Sequence, residues 1–328
     1  MIEWTVDKSE AGGRLDKFIK SRLSEAPDSF VYKMARKKNL VINAKKCTGK
    51  EILKAGDRVR LYVSDDTLAL FSAKISSDSR ISMYQKAYRE LKGIRVIEEY
   101  PDFVFLYKPD GILSQKAKSD DLSINEWLIG YLLNNRQITE ESLSVFHPSV
   151  LNRLDRNTCG IVICGKTPAG SRLGSSMLKD RSLRKFYHAV VSGECFLEGN
   201  YNGYIYKDRA ENKVSFYRNE SDIPAGIMAD VKPVSLNVRP ISRKKEESLL
   251  EIELHTGKSH QIRVMLKELG FPISGDPKYN TGDYHKSKRQ KGQLLCAVRL
   301  EFPEIKGDFA YLSRHVISCE APFSLIDN

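Results

Sequence analysis

Apolar stretches of strand length recur along the last two thirds of this chain, separated by segments with helical patterns. They are Val104–Tyr107, Gly160–Cys164, Phe186–Val191 and Ser248–Leu254. Strands in this irregular order are typical of a large sheet that buries its apolar face against helices. The sequence therefore predicts an α+β domain over residues 93–328.

Basic charge is concentrated near the N-terminus. Residues 1–63 contain 15 Lys and Arg against 8 Asp and Glu, so this fifth of the chain carries +7 of a net charge of +11. Apolar residues at helical spacing predict amphipathic helices over 14–25 and after Pro27, and strands are expected at 40–43 and 58–63. This small module favours a polyanionic partner, although many basic surfaces are only solvated.

Residues 64–92 are polar and show no strand alternation, so we expect an irregular linker there. The six cysteines form no CxxC pair, and no apolar run approaches the roughly 20 residues that span a bilayer. The first residues lack the pattern of a secretory signal. We therefore expect a reduced, cytoplasmic protein with no membrane partner.

The segment Asn152–Gly160 places Arg153 and Arg156 on either side of Asp155, before a Thr-x-Gly turn and an apolar strand. Arginines next to a carboxylate favour its ionised form by Coulombic attraction. An ionised carboxylate between a loop and a strand suits a nucleophile or a general base, but it equally suits a surface salt bridge. Residue types alone leave both interpretations open.

A second polar cluster lies at Leu254–Val264, where a strand is expected to end and a helix to begin. Free N–H groups at a helix start, together with Lys258 and Arg263, could hold a phosphate or a carboxylate. His255 and His260 have no acidic residue between them and do not form the HExxH zinc pattern. Each histidine alone is more often structural than a ligand, and we expect no metal site.

Residues Gly160–Thr167 match the phosphate-loop expression GxxxxGK[ST] literally. A phosphate loop needs a flexible turn whose N–H groups surround the anion. Here the variable positions are Ile, Val, Ile and Cys, which form the predicted strand, and Pro168 follows at once. The sequence therefore argues against a nucleoside triphosphatase, and we expect no nucleotide cofactor.

Taken together and in order, several segments resemble the RluA family of RNA pseudouridine synthases. They are Lys108–Gly111, Arg153–Gly160, Lys185–Tyr187, Thr256–Arg263 and Gly275–Tyr279. The N-terminal module resembles an S4 RNA-binding domain through Arg14–Asp16 and Gly56–Asp57. The resemblance implies a pseudouridine synthase fold with a mixed, mainly antiparallel central sheet, preceded by a small α/β RNA-binding domain.

The resemblance also implies roles for individual residues. Asp155 would act as a nucleophile or as the base that removes a ribose proton, and Arg263 would pair with it and keep it charged. Tyr187 would stack on the uracil and help to remove the C5 proton. Arg153 would fill the gap left when the uridine swings out of the RNA.

Further RNA contacts are expected from Lys258 and His260, and from basic residues of the N-terminal module. The latter are Arg14, Lys33, Arg36, Lys37 and Lys38. Backbone contacts would offset the cost of extruding a uridine, roughly a few kcal/mol. The implied partner is RNA, and among RNAs the resemblance favours large-subunit ribosomal RNA. The isomerisation would need no cofactor, and we expect a monomer.

Three residues depart from the family pattern, namely Asn152, Cys159 and Met265. None replaces an expected catalytic residue, so we expect an active enzyme with altered substrate contacts. One rival function is a catalytically silent RNA-binding or assembly factor, for which Asp155 would be dispensable. A hydrolase would instead need paired carboxylates or a metal cluster, and apart from Asp276 the motifs offer Asp155 no acidic partner.

Overall fold

The structure is a computed structural model that describes residues 1–7, 10–23, 26–71, 77–118, 120–208, 211, 213–280 and 292–325. Within these ranges the strands form two sheets, a small one near the N-terminus and a large one in the rest of the chain. No helix in the described ranges has both the length and the apolar character needed to cross a membrane.

The N-terminal module contains two helices and a small antiparallel sheet. Its elements are α1 (Leu15–Arg22), α2 (Asp28–Arg36), β1 (Ile2–Thr5), β2 (Leu40–Ile42), β3 (Lys45–Lys46) and β4 (Arg58–Leu61). The strand order is β1-β4-β2-β3. Leu15, Phe18 and Ile19 of α1 are buried in a core shared with α2, so the apolar stripe faces inward as predicted.

The expectation of irregular structure at 64–92 was wrong, because this segment contains two helices, and its role as a linker stays a prediction. They are α3 (Asp65–Phe71) and α4 (Ser77–Glu90), and α4 packs against α5 (Ile124–Asn134). Ala87 is fully buried, and a Cβ at Gly130 would lie 2.3 Å from the carbonyl oxygen of Tyr84. Apolar residues recur at helical spacing along α4, and this signal was hidden among polar neighbours. The domain boundaries at 63 and 92 stay predictions.

The large sheet holds the remaining described strands. They are β5 (Arg95–Glu99), β6 (Phe103–Lys108), β7 (Ser149–Val150), β8 (Cys159–Gly165), β9 (Arg184–Ser192), β10 (Gly199–Asp208), β11 (Lys213–Tyr217), β12 (Lys232–Arg243), β13 (Glu247–Leu254), β14 (Leu295–Glu301) and β15 (Val316–Ser318). The main order is β11-β10-β12-β13-β9-β14-β8-β6-β5, with β7 beside β8 and β15 beside β14. Among the described pairs only β8 and β14 are parallel. The predicted α+β class with a mixed, mainly antiparallel sheet is confirmed.

The literal phosphate-loop match is a buried strand followed by a helix. β8 is buried along its whole length, and α7 (Pro168–Asp180) begins directly after it. Thr167 caps this helix by accepting a hydrogen bond from the Gly170 N–H, and its hydroxyl also donates to Asp102. The backbone N–H groups at this position therefore belong to the first turn of α7, which Thr167 caps.

Two elements meet over the centre of the large sheet and position the candidate site. Asp155 lies in the loop that leads into β8, and α8 (Gln261–Glu268) follows β13 and packs on the face that holds the main core. At Gly160 the backbone has φ of 112°, and a Cβ would lie 2.2 Å from the Ala297 carbonyl oxygen. Glycine therefore allows β8 and β14 to approach each other directly behind the Asp155 loop. The chain also forms α6 (Glu140–Leu143).

Candidate active site

The Asp155 loop is fixed by backbone hydrogen bonds on both sides of the carboxylate. The Ser114 hydroxyl donates to the Leu154 carbonyl at 2.9 Å and accepts from the Leu154 N–H at 3.0 Å. The Thr158 N–H donates to the Asp155 carbonyl at 3.0 Å. The Asp155 side chain remains 26% exposed, so a rigid loop presents a carboxylate that a substrate can reach.

Arg263 of α8 binds two carboxylates at once. Its Nη1 donates to Asp155 Oδ2 at 2.8 Å, while Nε and Nη2 donate to Asp276 Oδ2 and Oδ1 at 2.7 and 2.8 Å. The fork on Asp276 is bidentate, which fixes the plane of the guanidinium group. The expected pair between Arg263 and Asp155 is present, and Asp276 is the further residue that orients it.

Asp276 is fully buried, yet its interactions favour the charged form. Burial alone would raise the pKa of this carboxyl group, but the hydrogen bonds and charge of Arg263 and the N–H groups of Lys278 and Tyr279 outweigh burial and lower it. Asp276 therefore forms a permanent anchor for Arg263, whereas Asp155 is the exposed carboxylate of the two. In the sequence Asp276 stood out only as the acidic exception among the motifs.

Tyr187 lies in the middle of β9 on the same face as the site. Its side chain is buried, and burial together with the nearby charge of Asp155 raises the pKa of the phenol. No hydrogen bond to its hydroxyl occurs within the described ranges. The ring is therefore neutral at physiological pH and lies close to Asp155.

His260 approaches Asp155 from the start of α8. It adopts a left-handed conformation with φ of 55°, its Nδ1 lies 2.7 Å from the Tyr279 hydroxyl, and its Nε2 lies 4.0 Å from Asp155 Oδ2. Burial lowers the pKa of this imidazole, in opposition to the charge of Asp155. His260 is thus brought to the site as a neutral ring at physiological pH.

Lys108 stabilises the Asp155 loop through hydrogen bonds to backbone carbonyl groups. Its side chain is fully buried, and Nζ donates to the carbonyl oxygens of Pro109 and Arg156 at 2.9 Å each. Burial lowers the pKa of this lysine to about 8. The Lys108 side chain therefore links the segment Lys108–Gly111 to the Asp155 loop.

Two further lysines lie near the candidate site, and of these Lys207 belongs to none of the sequence motifs. Lys278 follows Asp276, and Lys207 lies near the end of β10; the charges of both contribute to the lowered pKa of His260. Burial and the positive charge of Arg263 lower the pKa of Lys278 itself. The surroundings of Asp155 are thus rich in positive charge, which suits a phosphate-bearing substrate. Lys278 lies in the motif Gly275–Tyr279, whereas only the fold brings Lys207 near the site.

The other predicted contact residues are exposed. Arg153 makes no ion pair or side-chain hydrogen bond with the described residues, and Lys258 lies in the exposed turn before α8. In the N-terminal module, four predicted residues are also exposed: Lys33, Arg36, Lys37 and Lys38. Arg14 is exposed as well, but its guanidinium group is paired, since it donates to Asp16 at 2.7 Å and to the Tyr32 hydroxyl at 3.2 Å.

The three departures from the family pattern are structural. Asn152 accepts from the Ile163 N–H at 2.7 Å and donates to the Ile161 carbonyl, so it fixes the edge of β8. The Cys159 thiol contacts the Leu295 carbonyl, and Met265 is fully buried in the main core. No hydrogen bond joins any of them to Asp155 within the described part of the chain.

Comparison with known proteins identifies the family. A model described as RNA pseudouridylate synthase matches residues 102–268, which include Asp155, Tyr187 and Arg263. The chain belongs to this family. The match confirms the expectation of an isomerase that acts on RNA. No group of side chains suited to holding a metal ion occurs among the described residues.

Similar pseudouridine synthases span almost the whole chain. An uncharacterized RNA pseudouridine synthase of Mycoplasma capricolum is 27% identical over 97% of this chain and 97% of its own length. Ribosomal large subunit pseudouridine synthase C of Vibrio parahaemolyticus is 24% identical over 92% and 89%. Human RNA pseudouridylate synthase domain containing 4 has a similar fold, with a TM-score of 0.53 and 16% identity over 75% of this chain and 93% of its own.

Proposed function

We propose that Asp155 is the catalytic carboxylate of this pseudouridine synthase and that its substrate is a uridine of large-subunit ribosomal RNA. The observation that carries the first part is the bridge made by Arg263. It binds one oxygen of the partly exposed Asp155, while its Nε and Nη2 donate to the buried Asp276. This arrangement gives a single accessible carboxylate a fixed position beside a buried tyrosine.

The reaction breaks the C1′–N1 bond of uridine and joins C1′ to C5, while C5 loses a proton and N1 gains one. Asp155 Oδ2 is bound by Arg263, and no hydrogen bond to Oδ1 occurs within the described residues. Oδ1 is therefore the oxygen that attacks C1′ or removes a ribose proton, and the geometry suits either step. Arg263 stabilises the charged carboxylate as the cleft loses water.

Tyr187 supplies the surface on which the freed uracil rotates. Because its phenol is buried and neutral, the ring can pack against a base at little electrostatic cost. Its hydroxyl then lies where it can help to move the C5 proton. His260 and the neighbouring lysines, Lys207 and Lys278, bind the phosphate groups of the extruded nucleotide.

The choice of large-subunit ribosomal RNA rests on the names of the similar proteins and on charge. A relative aligned over 92% of the chain is a ribosomal large subunit pseudouridine synthase. The first 63 residues carry +7 of the net charge, and four exposed basic residues lie in and just after α2. We propose that this module is an S4-like domain that holds the RNA backbone.

A catalytically silent RNA-binding protein is the second candidate, and the experiment separates the two. Unmodified large-subunit ribosomal RNA is transcribed in vitro, incubated with the protein and mapped by carbodiimide-stop sequencing. We expect new stops with the wild type and none with Asp155→Asn, while RNA affinity is retained. Asp308→Asn, which changes an exposed aspartate, serves as the matched control and should leave the stops unchanged.

Either of two results would contradict the proposal. Stops of equal intensity with Asp155→Asn would exclude this residue as the catalytic carboxylate. Binding without any stops for the wild type would exclude this RNA as substrate. The same assay on total unmodified RNA would then decide between another RNA target and a silent binder.

A further inference from the structure

A polar pocket lies beside the turn that follows β13. Its lining includes Arg181, Asn202, Tyr204, Arg218, Ser235 and Thr256, but neither Asp155 nor Arg263. The lining comes from the end of α7, the paired strands β10 and β12, and the segments just after β11 and β13. It is therefore a depression built by the β10–β12 part of the sheet, separate from the candidate active site.

Two arginines of the pocket have no carboxylate partner among the described residues. Arg181 and Arg218 are exposed and make no ion pair or side-chain hydrogen bond within the described ranges. In the same sheet, Arg184 binds Glu253 and Glu301. The lining also contains Glu220, whose side chain is exposed. Because the lining holds two arginines and one glutamate, its net charge is positive. A guanidinium group with free donors suits a phosphate in two-point contact.

The remaining lining groups suit a base and a sugar. Tyr204 is half-buried and lies directly opposite Tyr217 in the β10–β11 pair, so an aromatic surface adjoins the two arginines. The Asn202 side chain is exposed and makes no hydrogen bond with the described residues. Aromatic rings stack on bases of any sequence, and an amide side chain can bind their edges.

Hydrogen bonds link the floor of the pocket directly to α8. The Ser235 N–H donates to the Thr256 hydroxyl oxygen at 2.9 Å, and that hydroxyl donates to the Gln261 side chain at 2.9 Å. Gln261 is the first residue of α8 and lies two positions before Arg263. A ligand in the pocket would therefore be held at a fixed position relative to Asp155.

We propose that this pocket binds a second nucleotide of the substrate RNA, distinct from the reacting uridine. Arg181 and Arg218 bind its phosphate, and Tyr204 packs against its base. The proposal rests on the proposed function for the identity of the polymer. Binding at a distance from the reacting atoms strengthens ground-state and transition-state binding equally, so it lowers KM and leaves kcat unchanged.

The first test measures the kinetics of an Arg181→Glu/Arg218→Glu variant on transcribed large-subunit ribosomal RNA. We expect KM to rise at least tenfold with kcat within twofold of the wild type. The matched control is Arg136→Glu, because Arg136 is exposed and adopts a left-handed conformation after α5, as Arg181 does after α7. An unchanged KM in the double variant, or an equal rise in the control, would overturn the proposal.

The second test uses the wild-type protein and needs no turnover. RNA that contains 4-thiouridine is crosslinked to the protein by light, and the crosslinked peptides are identified by mass spectrometry. Crosslinks within 199–208 or 213–220 are expected, and their absence alongside crosslinks near Asp155 would overturn the proposal. If the wild type forms no pseudouridine, the proposed function fails for this RNA. The crosslinks and the RNA affinities of the variants would then test RNA binding at the pocket independently of turnover.

Discussion

Arg263 donates to Asp155 at 2.8 Å and, through its other nitrogens, to Asp276 at 2.7 and 2.8 Å. The two carboxylates differ in exposure, since Asp276 is fully buried and Asp155 is 26% exposed. One arginine thus joins a structural anchor to an accessible acid. Because the two carboxylates differ in this way, the loss of Asp276 and the loss of Asp155 should have different effects.

Asp276→Asn should damage both stability and turnover, because it leaves a buried arginine without its bidentate partner. Removing one member of a buried pair costs about 3–5 kcal/mol. Since Asp276 has a lowered pKa, the wild type keeps this stabilisation above the ordinary Asp pKa and loses it as pH falls through the lower folded-state pKa. Urea unfolding at several pH values measures the effect.

A positioning role for Asp276 also predicts a kinetic effect that instability does not explain. At a temperature where Asp276→Asn is fully folded, kcat should fall at least tenfold while RNA affinity stays within twofold. Asp308→Asn, which alters an exposed aspartate, should change neither quantity. A normal kcat in the folded Asp276→Asn protein would show that Arg263 keeps its position without this anchor.

Tyr187→Phe should separate stacking from proton transfer. The substitution keeps the buried ring and removes a hydroxyl that has no hydrogen bond within the described residues, so stability should change by less than about 1 kcal/mol. If the hydroxyl helps to move the C5 proton, kcat falls about 100-fold, as is typical for a lost general acid or base. Single-turnover pseudouridine formation gives the rate, and an unchanged rate would restrict Tyr187 to stacking.

Lys108 should make stability depend on pH in a distinct window. Its pKa is lowered to about 8 by burial, so the unfolded chain binds more protons than the folded one between about pH 8 and pH 10.5. The contribution of Lys108 to the free energy of unfolding therefore rises with pH across this window. Lys108→Met removes the effect, so its cost should be about 2–3 kcal/mol larger at pH 10.5 than at pH 7. Equal costs at both pH values would contradict the lowered pKa.

Gly160→Ala should disrupt the junction between β8 and β14. Its Cβ would lie 2.2 Å from the Ala297 carbonyl oxygen, at a φ of 112°. Gly199 is a matched control, because its φ is 93° and a Cβ there would meet nothing within 4 Å. Backbone strain alone costs about 1–3 kcal/mol, so Gly199→Ala should fold with a modest loss, whereas Gly160→Ala should yield little folded protein. Similar thermal stability for both variants would show that the strands can separate.

Local patterns in the sequence predict local structure well in this chain. The apolar stripe of α1 and the strands β6, β8, β9 and β13 were recognised because their periodicity or apolar content is directly readable. α4 was missed because its apolar residues are spaced among many polar ones. Strand β10 was missed because its alternation includes polar and aromatic residues on both faces. Strand β12 was missed although Val234, Leu236 and Val238 alternate with polar residues, because charged residues and prolines surround this short apolar pattern.

The candidate site depends on contacts that no local pattern contains. The pair of Arg263 and Asp155 was anticipated through the ordered motifs of the family resemblance. By contrast, Lys207 carries no motif, and the role of Asp276 as anchor of Arg263 is fixed only when α8 and the loop after it fold over β9. Such relationships arise from tertiary packing, which the spacing of residues along the chain does not determine.

The basic N-terminal module should contribute affinity that depends strongly on salt. Lys33 and Lys37 lie four positions apart at the end of α2, and both are exposed. Each phosphate contact contributes about 0.7–0.9 to the slope of log affinity against log salt, so Lys33→Gln/Lys37→Gln should reduce that slope by about 1.4–1.8 and leave kcat unchanged. Lys179→Gln/Lys306→Gln, which alters two exposed lysines of the catalytic part, is the charge-matched control. Equal slopes for the two variants would indicate that the RNA backbone does not contact this face of α2.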